Sequence, residues 1–228
     1  MNSGGEYLMR SIGGASGHGR WAASIEQSTD CGDGWSEAVR LAASGRKLAQ
    51  EDFCQLAGKS RATHGENYKY DGSCEELARL LREYCPAWRV ESERLFGLIG
   101  FNYVCGNDDA HLENFPLLET PFVDSALSPA YDLLCTTLHL HTESRSALEM
   151  FDDFTAPSFD SNGFVKRSDF LELAIGFGLR AGRAEVILSR ITSKRSACEA
   201  LLERSLLSLE ARASYHNVLD DRLRAMGD

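Results

Sequence analysis

The chain has 228 residues, 43% of them hydrophobic, and a formal net charge of −10 at pH 7, which suits a globular protein of one or two domains. It has no run of 18 apolar residues, and its first residues lack the basic and apolar regions of a signal peptide, so we expect neither a membrane span nor secretion. The seven cysteines are odd in number and form no C-x-x-C pair, which predicts free thiols in a reducing cytoplasm.

The negative charge is concentrated in one stretch of the chain. Residues 101–160 contain eleven acidic residues and one basic residue, Arg145, so this stretch accounts for the whole net charge. Such a surface would attract Mg²⁺ and repel nucleic-acid backbones, although a solvated acidic face would have the same composition. Because the chain also lacks a basic stripe, we expect it to bind neither nucleic acid directly nor membranes.

Apolar periodicity predicts helices in the first half of the chain, at residues 36–43, 51–57, 73–84 and about 90–105. Ser73 and Glu76 have the S-x-x-E spacing of a capping box, in which each side chain bonds the backbone N–H of the other residue. The segment at 90–105 is apolar on most sides. We therefore expect it to form a buried helix in the centre of the fold.

The second half is predicted to begin with two short strands within residues 115–128 and an irregular segment at 137–164. Helices are then expected at residues 168–178, 183–192 and about 193–226, with Ser168 capping the first. Five leucines of the last helix are expected to pack in the core: Leu201, Leu202, Leu206, Leu207 and Leu209. The predicted fold class is mostly α (α+β), with a short β-hairpin and a C-terminal helical bundle.

A polar segment at residues 106–114, Gly-Asn-Asp-Asp-Ala-His-Leu-Glu-Asn, separates two apolar runs. Asp109 and Asn114 belong to a D-x-H-x-x-N pattern, and a second carboxylate, Asp132, follows in Leu-Ser-Pro-Ala-Tyr-Asp. Phosphoryl transfer from ATP needs a carboxylate that orients the acceptor hydroxyl, and an amide and a second carboxylate that hold Mg²⁺. Asp109, Asn114 and Asp132 could supply these groups. The competing interpretation is a solvated turn in which Asn107 or Asp108 caps a helix.

The two motifs together resemble the catalytic core of the HipA-family serine/threonine kinases, the toxin kinases of bacterial toxin–antitoxin modules. The segments that carry this resemblance are residues 107–115 and 127–134. Upstream, Gln-Glu-Asp-Phe-Cys-Gln at 50–55 and Lys69-Tyr70 also resemble family segments, as does the stretch 165–174. The resemblance covers roughly residues 50–195, and it implies a HipA-like, protein-kinase-like large lobe.

The resemblance also implies roles for individual residues. Asp109 would be the catalytic base, Asn114 and Asp132 would be the Mg²⁺ ligands, and His111 would lie near the nucleotide. The implied cofactors are ATP and Mg²⁺. The implied partners are an antitoxin protein and a protein substrate, which the family suggests is an aminoacyl-tRNA synthetase.

The start of the chain is expected to hold only part of a kinase small lobe, at residues 1–35, ahead of a HipA-like C-terminal helical kinase domain at 36–228. Residues 21–26 resemble the strand that leads to the hinge, so Glu26 would offer backbone contacts to adenine. Alternatively, the glycine cluster at 12–19 could form a phosphate loop, or the start could be divergent. About 30 residues are too few for a complete small lobe, so we expect a truncated one.

One position departs from the family pattern. The family has a lysine just before the asparagine, and this chain has Glu113. An anion there would oppose binding of the terminal phosphate. Two functions therefore stay open besides the kinase: a catalytically incomplete lobe that binds a nucleotide or a partner, and, with less support, a small-molecule or lipid kinase.

Overall fold

The computed structural model describes residues 48–120, 124–139, 145–153 and 156–227. In chain order its helices are α1 (Phe53–Leu56), α2 (Arg61–His64), α3 (Cys74–Tyr84), α4 (Trp88–Cys105), α5 (Pro157–Asn162), α6 (Arg167–Gly176), α7 (Ala181–Thr192), α8 (Arg195–Glu203) and α9 (Leu209–Met226). Its strands are β1 (Gln50–Glu51), β2 (Leu117–Glu119) and β3 (Ser125–Leu127). Short 3₁₀ turns lie at Tyr68–Tyr70, Leu112–Asn114 and Thr136–Leu138. The predictions for residues 1–47, including the helix at 36–43, lie outside the described residues.

The centre of the fold is α4, which α3, α7 and α9 contact from different sides. Eleven of its eighteen residues are buried, as expected for a helix that is apolar on most sides. Glycine lets α7 approach closely, since a Cβ on Gly100 would lie 3.2 Å from Ile191 Cδ1. The predicted central helix is therefore confirmed.

The strands form an antiparallel sheet in the order β1–β2–β3. The predicted hairpin corresponds to β2 and β3, where Leu118 pairs with Ala126. The prediction of a helix from residue 51 is wrong at its start, because the backbone of Glu51 pairs with Leu117 and extends the sheet. The helix begins only at Phe53, after a capping box in which Asp52 Oδ1 accepts from Gln55 N at 2.9 Å.

At the start of α3, one of the two hydrogen bonds of the expected capping box forms. Ser73 Oγ accepts a hydrogen bond from the backbone N–H of Glu76 at 2.9 Å, so the helix starts where predicted. The carboxylate of Glu76 instead binds the ammonium of Lys59 at 2.7 Å.

The C-terminal region is helical, but its boundaries differ from the prediction. Ser168 lies inside α6 and not at its cap. At the N-terminus of α6, the Asp169 carboxylate accepts a hydrogen bond from the backbone N–H of Lys166 at 2.7 Å. The long helix expected from residue 193 is two helices, because Ser208 Oγ accepts from Ala211 N and starts α9 separately.

The break between α8 and α9 also determines which of the five predicted core leucines are buried. Leu202 is fully buried, and Leu201 and Leu207 are partly buried against the core. Leu206 and Leu209 are 89% and 82% exposed. The prediction of core packing is therefore wrong for these two, since Leu206 lies in the break between α8 and α9 and Leu209 is the first residue of α9.

The six cysteines in the described part of the chain are buried free thiols, as predicted for small apolar side chains. Burial is also the largest cause that raises the pKa of Cys74, to about 12. In the same residues, no helix is both long and apolar enough to cross a membrane.

Candidate active site

The polar segment leaves α4 through a left-handed turn at Gly106, where φ is +70°. A Cβ at this position would lie 2.8 Å from Val218 Cγ1 of α9 and 3.1 Å from Thr137 Oγ1. Glycine is therefore required both by the backbone conformation and by the close approach of the last helix. This turn fixes the direction in which the next residues enter the site.

Asp108 anchors the loop to the last helix of the chain. Its carboxylate oxygens accept hydrogen bonds from Arg222 Nη2 at 2.9 and 2.8 Å, and both side chains are buried. Thr136 Oγ1 accepts from the backbone N–H of Asp108 at 2.8 Å. The 3₁₀ turn that follows is capped at His111 and not at Asn107 or Asp108, and the Asp108 carboxylate lies in a buried ion pair.

Asn107 joins the loop to the segment that carries Asp132. Its buried amide donates to Asn102 Oδ1 and to the backbone oxygen of Asp132, both at 3.1 Å. Asp132 has φ of +53°, and it is the one non-glycine residue with positive φ in the part of the chain that the structure describes. Such a conformation is strained in most residues and persists where neighbouring contacts hold it. Asn107 supplies one of these contacts.

Asn114 and Asp132, the two predicted metal ligands, lie side by side. Asn114 Nδ2 donates to Asp132 Oδ2 at 2.9 Å, and Asn114 Oδ1 accepts from the backbone N–H of His111 at 2.9 Å. Asn114 is buried and Asp132 is exposed, so the pair lies where the buried loop reaches solvent.

The donors of this pair fit Mg²⁺, which prefers oxygen and usually takes only one or two protein carboxylates beside phosphate and water. A carboxylate and an amide oxygen meet that requirement once the Asn114 amide turns, because its nitrogen now faces Asp132 and its oxygen faces the backbone N–H of His111. Among the described residues, no group of three or more His, Cys, Asp and Glu side chains could hold a metal. A site here would therefore depend on the phosphates as further ligands.

Asp109, the predicted base, lies in the same loop and faces the segment around Tyr70. Tyr70 Oη donates to Asp109 Oδ1 at 2.6 Å. The pKa of Tyr70 is raised, first by burial and then by this hydrogen bond. Asp109 thus already accepts a hydrogen bond from a hydroxyl, which is the contact that a base makes with an acceptor alcohol before it takes the proton.

His111 lies between Asp109 and Asn114 in the sequence, and its side chain is buried. It contacts the same upstream segment as Asp109, the one around Tyr70. Its Nε2 lies 2.9 Å from Lys69 Nζ, and its ring meets the Tyr70 ring edge-on, with 5.2 Å between centroids. Burial, and after it the charge of Lys69, lower the pKa of His111. The imidazole is therefore favoured in its neutral form and accepts a hydrogen bond from the ammonium.

Glu113, the departure from the family pattern, is held by two tyrosines. Tyr68 Oη donates to Glu113 Oε1 at 2.6 Å, and Tyr131 Oη donates to the backbone oxygen of Glu113 at 2.5 Å. The first bond raises the pKa of Tyr68 to about 12. The carboxylate is therefore engaged with Tyr68.

Sequence reasoning found the residues of the loop but missed several that position it. Tyr70 and Lys69 had been noted only for their resemblance to a family segment, and Arg222 carried no sequence signal. Glu26 and the glycine cluster lie outside the described residues, so their suggested nucleotide contacts stay predictions.

Comparison with known proteins decides the family. The sequence model of the HipA-like C-terminal domain matches residues 35–198. The chain belongs to this family. The resemblance stated from the two motifs is therefore confirmed, and so is the fold class, a mostly helical HipA-like lobe with a small antiparallel sheet.

Two Sinorhizobium fredii (strain NBRC 101917 / NGR234) proteins are similar to this HipA-like chain. One, named "Putative kinase Y4mE", is 30% identical over 122 residues, which cover 52% of this chain and 28% of the relative. The other, named "Putative kinase Y4dM", is 35% identical over 99 residues, covering 43% and 22%. The matched region thus spans less than a third of the length of either curated relative.

A solved structure shares the fold. It is the Shewanella oneidensis MR-1 toxin–antitoxin complex of HipA, HipB and operator DNA. One chain of it matches with a TM-score of 0.58 and 23% identity, over 79% of this chain and 44% of that chain. At this identity the match bears on the fold of the HipA-like domain alone.

Proposed function

We propose that this HipA-like chain binds Mg·ATP and transfers the γ-phosphoryl group to a serine or threonine hydroxyl of a protein. The observation that carries the proposal is the arrangement of the loop. Asn114 and Asp132 lie 2.9 Å apart, and Asp109 precedes Asn114 by five residues in the same anchored segment. A catalytic carboxylate and an amide and a carboxylate for Mg²⁺ are three of the groups that phosphoryl transfer uses.

In this proposal each residue has one task. Asp132 and the Asn114 amide oxygen hold Mg²⁺, which supplies positive charge against the phosphate oxygens. Asp109 orients the acceptor hydroxyl and takes its proton, and its carboxylate now accepts a hydrogen bond from Tyr70 Oη at one of its two oxygens. The buried anchors at Asn107 and Asp108 keep the loop in place without rearrangement during transfer.

The substrate and the partner belong to the proposal as well. We propose a protein substrate, for which the family resemblance suggests an aminoacyl-tRNA synthetase, and an antitoxin partner within a cytoplasmic toxin–antitoxin system. The similar fold of a chain in a HipA–HipB–operator DNA complex supports the idea of an antitoxin partner.

A second candidate is a catalytically incomplete lobe that binds a nucleotide or a partner without turnover. Two observations favour it. Glu113 places a negative charge in the loop, and the Tyr70 hydroxyl binds one carboxylate oxygen of Asp109. The kinase and the nucleotide-binding form of this lobe both predict nucleotide binding, and only the kinase predicts transfer.

Calorimetric titration with ATP tests the shared claim. We expect binding to the wild-type chain that requires Mg²⁺ and is lost in Asp132→Ala. The matched control is Asp124→Ala, which removes an exposed carboxylate from the same acidic stretch and should bind like the wild type. Binding that survives in Asp132→Ala, or that is equally lost in the control, would contradict the assigned site.

A further inference from the structure

The loop that carries Asp109 and Asn114 has a negative side chain, Glu113, between them and no lysine or arginine. Negative charge on the transferring phosphoryl group is stabilised by cations placed close to it. Between the two motif residues the loop supplies Glu113, whose carboxylate is bound by Tyr68 Oη at 2.6 Å. A cation for the terminal phosphate must therefore come from another segment.

The basic side chains near the loop differ in whether their charge is already compensated. Arg222 binds the carboxylate of Asp108 at 2.8 Å, and Lys59 binds Glu76 at 2.7 Å. Lys69 has no carboxylate of the described residues within 4.0 Å of its Nζ. Its hydrogen-bond partner is His111 Nε2 at 2.9 Å, an uncharged acceptor that leaves the positive charge in place.

The position of Lys69 is fixed by two contacts on consecutive residues. Lys69 donates to His111, and Tyr70 donates to Asp109 at 2.6 Å. The ammonium also lies 4.9 Å from the centroid of the Tyr70 ring. These contacts dock the segment onto the loop. They place the Lys69 ammonium beside His111, which lies between Asp109, the proposed base, and Asn114, a proposed metal ligand.

We propose that Lys69 binds the terminal phosphate of a nucleoside triphosphate. It would so supply the positive charge that the loop, which carries Glu113, lacks. This inference rests on the proposed function. Its chemical content is narrower, because it assigns one cation to one phosphate group. The affinity for a ligand that lacks that group, such as ADP, should not change when Lys69 is replaced.

The test compares the Mg²⁺-dependent affinities for ATP and ADP by calorimetry in the full chain. Lys69→Met should weaken ATP binding about 10- to 100-fold, the size expected for one hydrogen bond to a charged group, and change ADP binding less than about twofold. Lys69→Arg should retain most of the preference for ATP. Arg61→Met is the matched control, since it removes one exposed positive charge from the same segment and should leave both affinities unchanged.

The outcomes separate the two claims. If the wild-type chain binds neither nucleotide, both the proposed function and the assignment of Lys69 fail. If the wild type binds ATP and Lys69→Met weakens ATP and ADP equally, or weakens neither, Lys69 does not contact the terminal phosphate and only this inference is overturned. Circular dichroism of each variant identifies a loss of binding that follows from unfolding, and Lys69→Arg then decides the question.

Discussion

Arg222, near the end of the last helix, donates hydrogen bonds to both carboxylate oxygens of Asp108, 114 residues earlier in the chain. Both side chains are buried, and Arg222 also donates to the backbone oxygen of Arg145 at 2.8 Å. The family match ends at residue 198. The loop that carries the candidate site is therefore held by a helix that lies beyond the matched region.

Breaking this pair on one side should destabilise the fold strongly. Arg222→Met leaves the Asp108 carboxylate buried without its cation, and we expect a loss of about 3–5 kcal/mol in the free energy of unfolding, measured by urea denaturation. The double variant Asp108→Asn/Arg222→Met removes both charges and should recover a large part of that loss.

An exposed ion pair provides the control for that comparison. Arg195 binds Asp220 and Glu199, and its side chain is half exposed. Arg195→Met should therefore cost less than about 1 kcal/mol. Strictly additive effects of the two changes at the buried pair would contradict the coupling between Asp108 and Arg222.

Gly106→Ala tests how tightly the last helix closes on the start of the loop. Gly106 and Gly163 both have left-handed φ, +70° and +76°, but a Cβ at Gly163 would meet nothing within 4 Å. Alanine at either position should cost about 1–2 kcal/mol from backbone strain. Gly106→Ala should cost about 1–3 kcal/mol more, because its Cβ collides with Val218. Equal losses in thermal unfolding would show that the contact with α9 can yield freely.

Asp132 should show a conflict between stability and ligand binding. Since its φ is +53°, glycine relieves strain that alanine keeps, and both remove the carboxylate. We expect Asp132→Gly to be more stable than Asp132→Ala by about 1 kcal/mol. Neither should bind Mg·ATP. If the alanine variant unfolds at the same denaturant concentration as the glycine variant, the backbone strain is not real.

The stability of the fold should fall in mild acid because of His111. Burial and then Lys69 hold the pKa of His111 below the ordinary value of 6.5, while the smaller effects of Asp109, Glu113 and Asp132 act in the other direction. As pH falls, His111 is therefore protonated in the unfolded chain before it is protonated in the folded one. The contribution of neutral His111 to the free energy of unfolding is complete above pH 6.5 and is lost as pH falls toward the folded pKa. Comparison of urea unfolding between pH 7.5 and 5 in the wild type and in His111→Gln isolates this contribution.

The imidazole itself reports the cause of that shift. In Lys69→Met the pKa of His111, followed by NMR, should rise only part of the way toward 6.5, because burial remains the larger cause. A pKa that is unchanged would mean that the Lys69 ammonium does not lie beside the ring.

The sequence predicts what depends on neighbours along the chain. The buried helix α4, the hairpin of β2 and β3 and the start of α3 follow from apolar periodicity and capping residues, and the structure confirms them. The Asp109–Asn114 spacing also places these two residues of the candidate site in one loop. Their chemical roles stay predictions.

The parts that the sequence did not predict depend on contacts between distant segments. The strand β1 has only two residues, and its pairing with β2 joins Glu51 to Leu117, which lies 66 positions later in the chain. The bonds from Tyr70 to Asp109 and from Lys69 to His111 likewise join separate segments. The division of the last helix was missed because its apolar pattern continues through the exposed Leu206 and Leu209.

The most direct test of the central claim is the rate of ADP formation from Mg·ATP, with water or the chain itself as the phosphoryl acceptor. We predict measurable turnover by the wild-type chain and a loss of about 10²-fold or more in Asp109→Asn, with Mg·ATP affinity retained. That result would identify Asp109 as the base of a working phosphotransfer site. Equal turnover in Asp109→Asn would contradict that role, and binding without turnover in the wild type would contradict the kinase and favour the nucleotide-binding lobe.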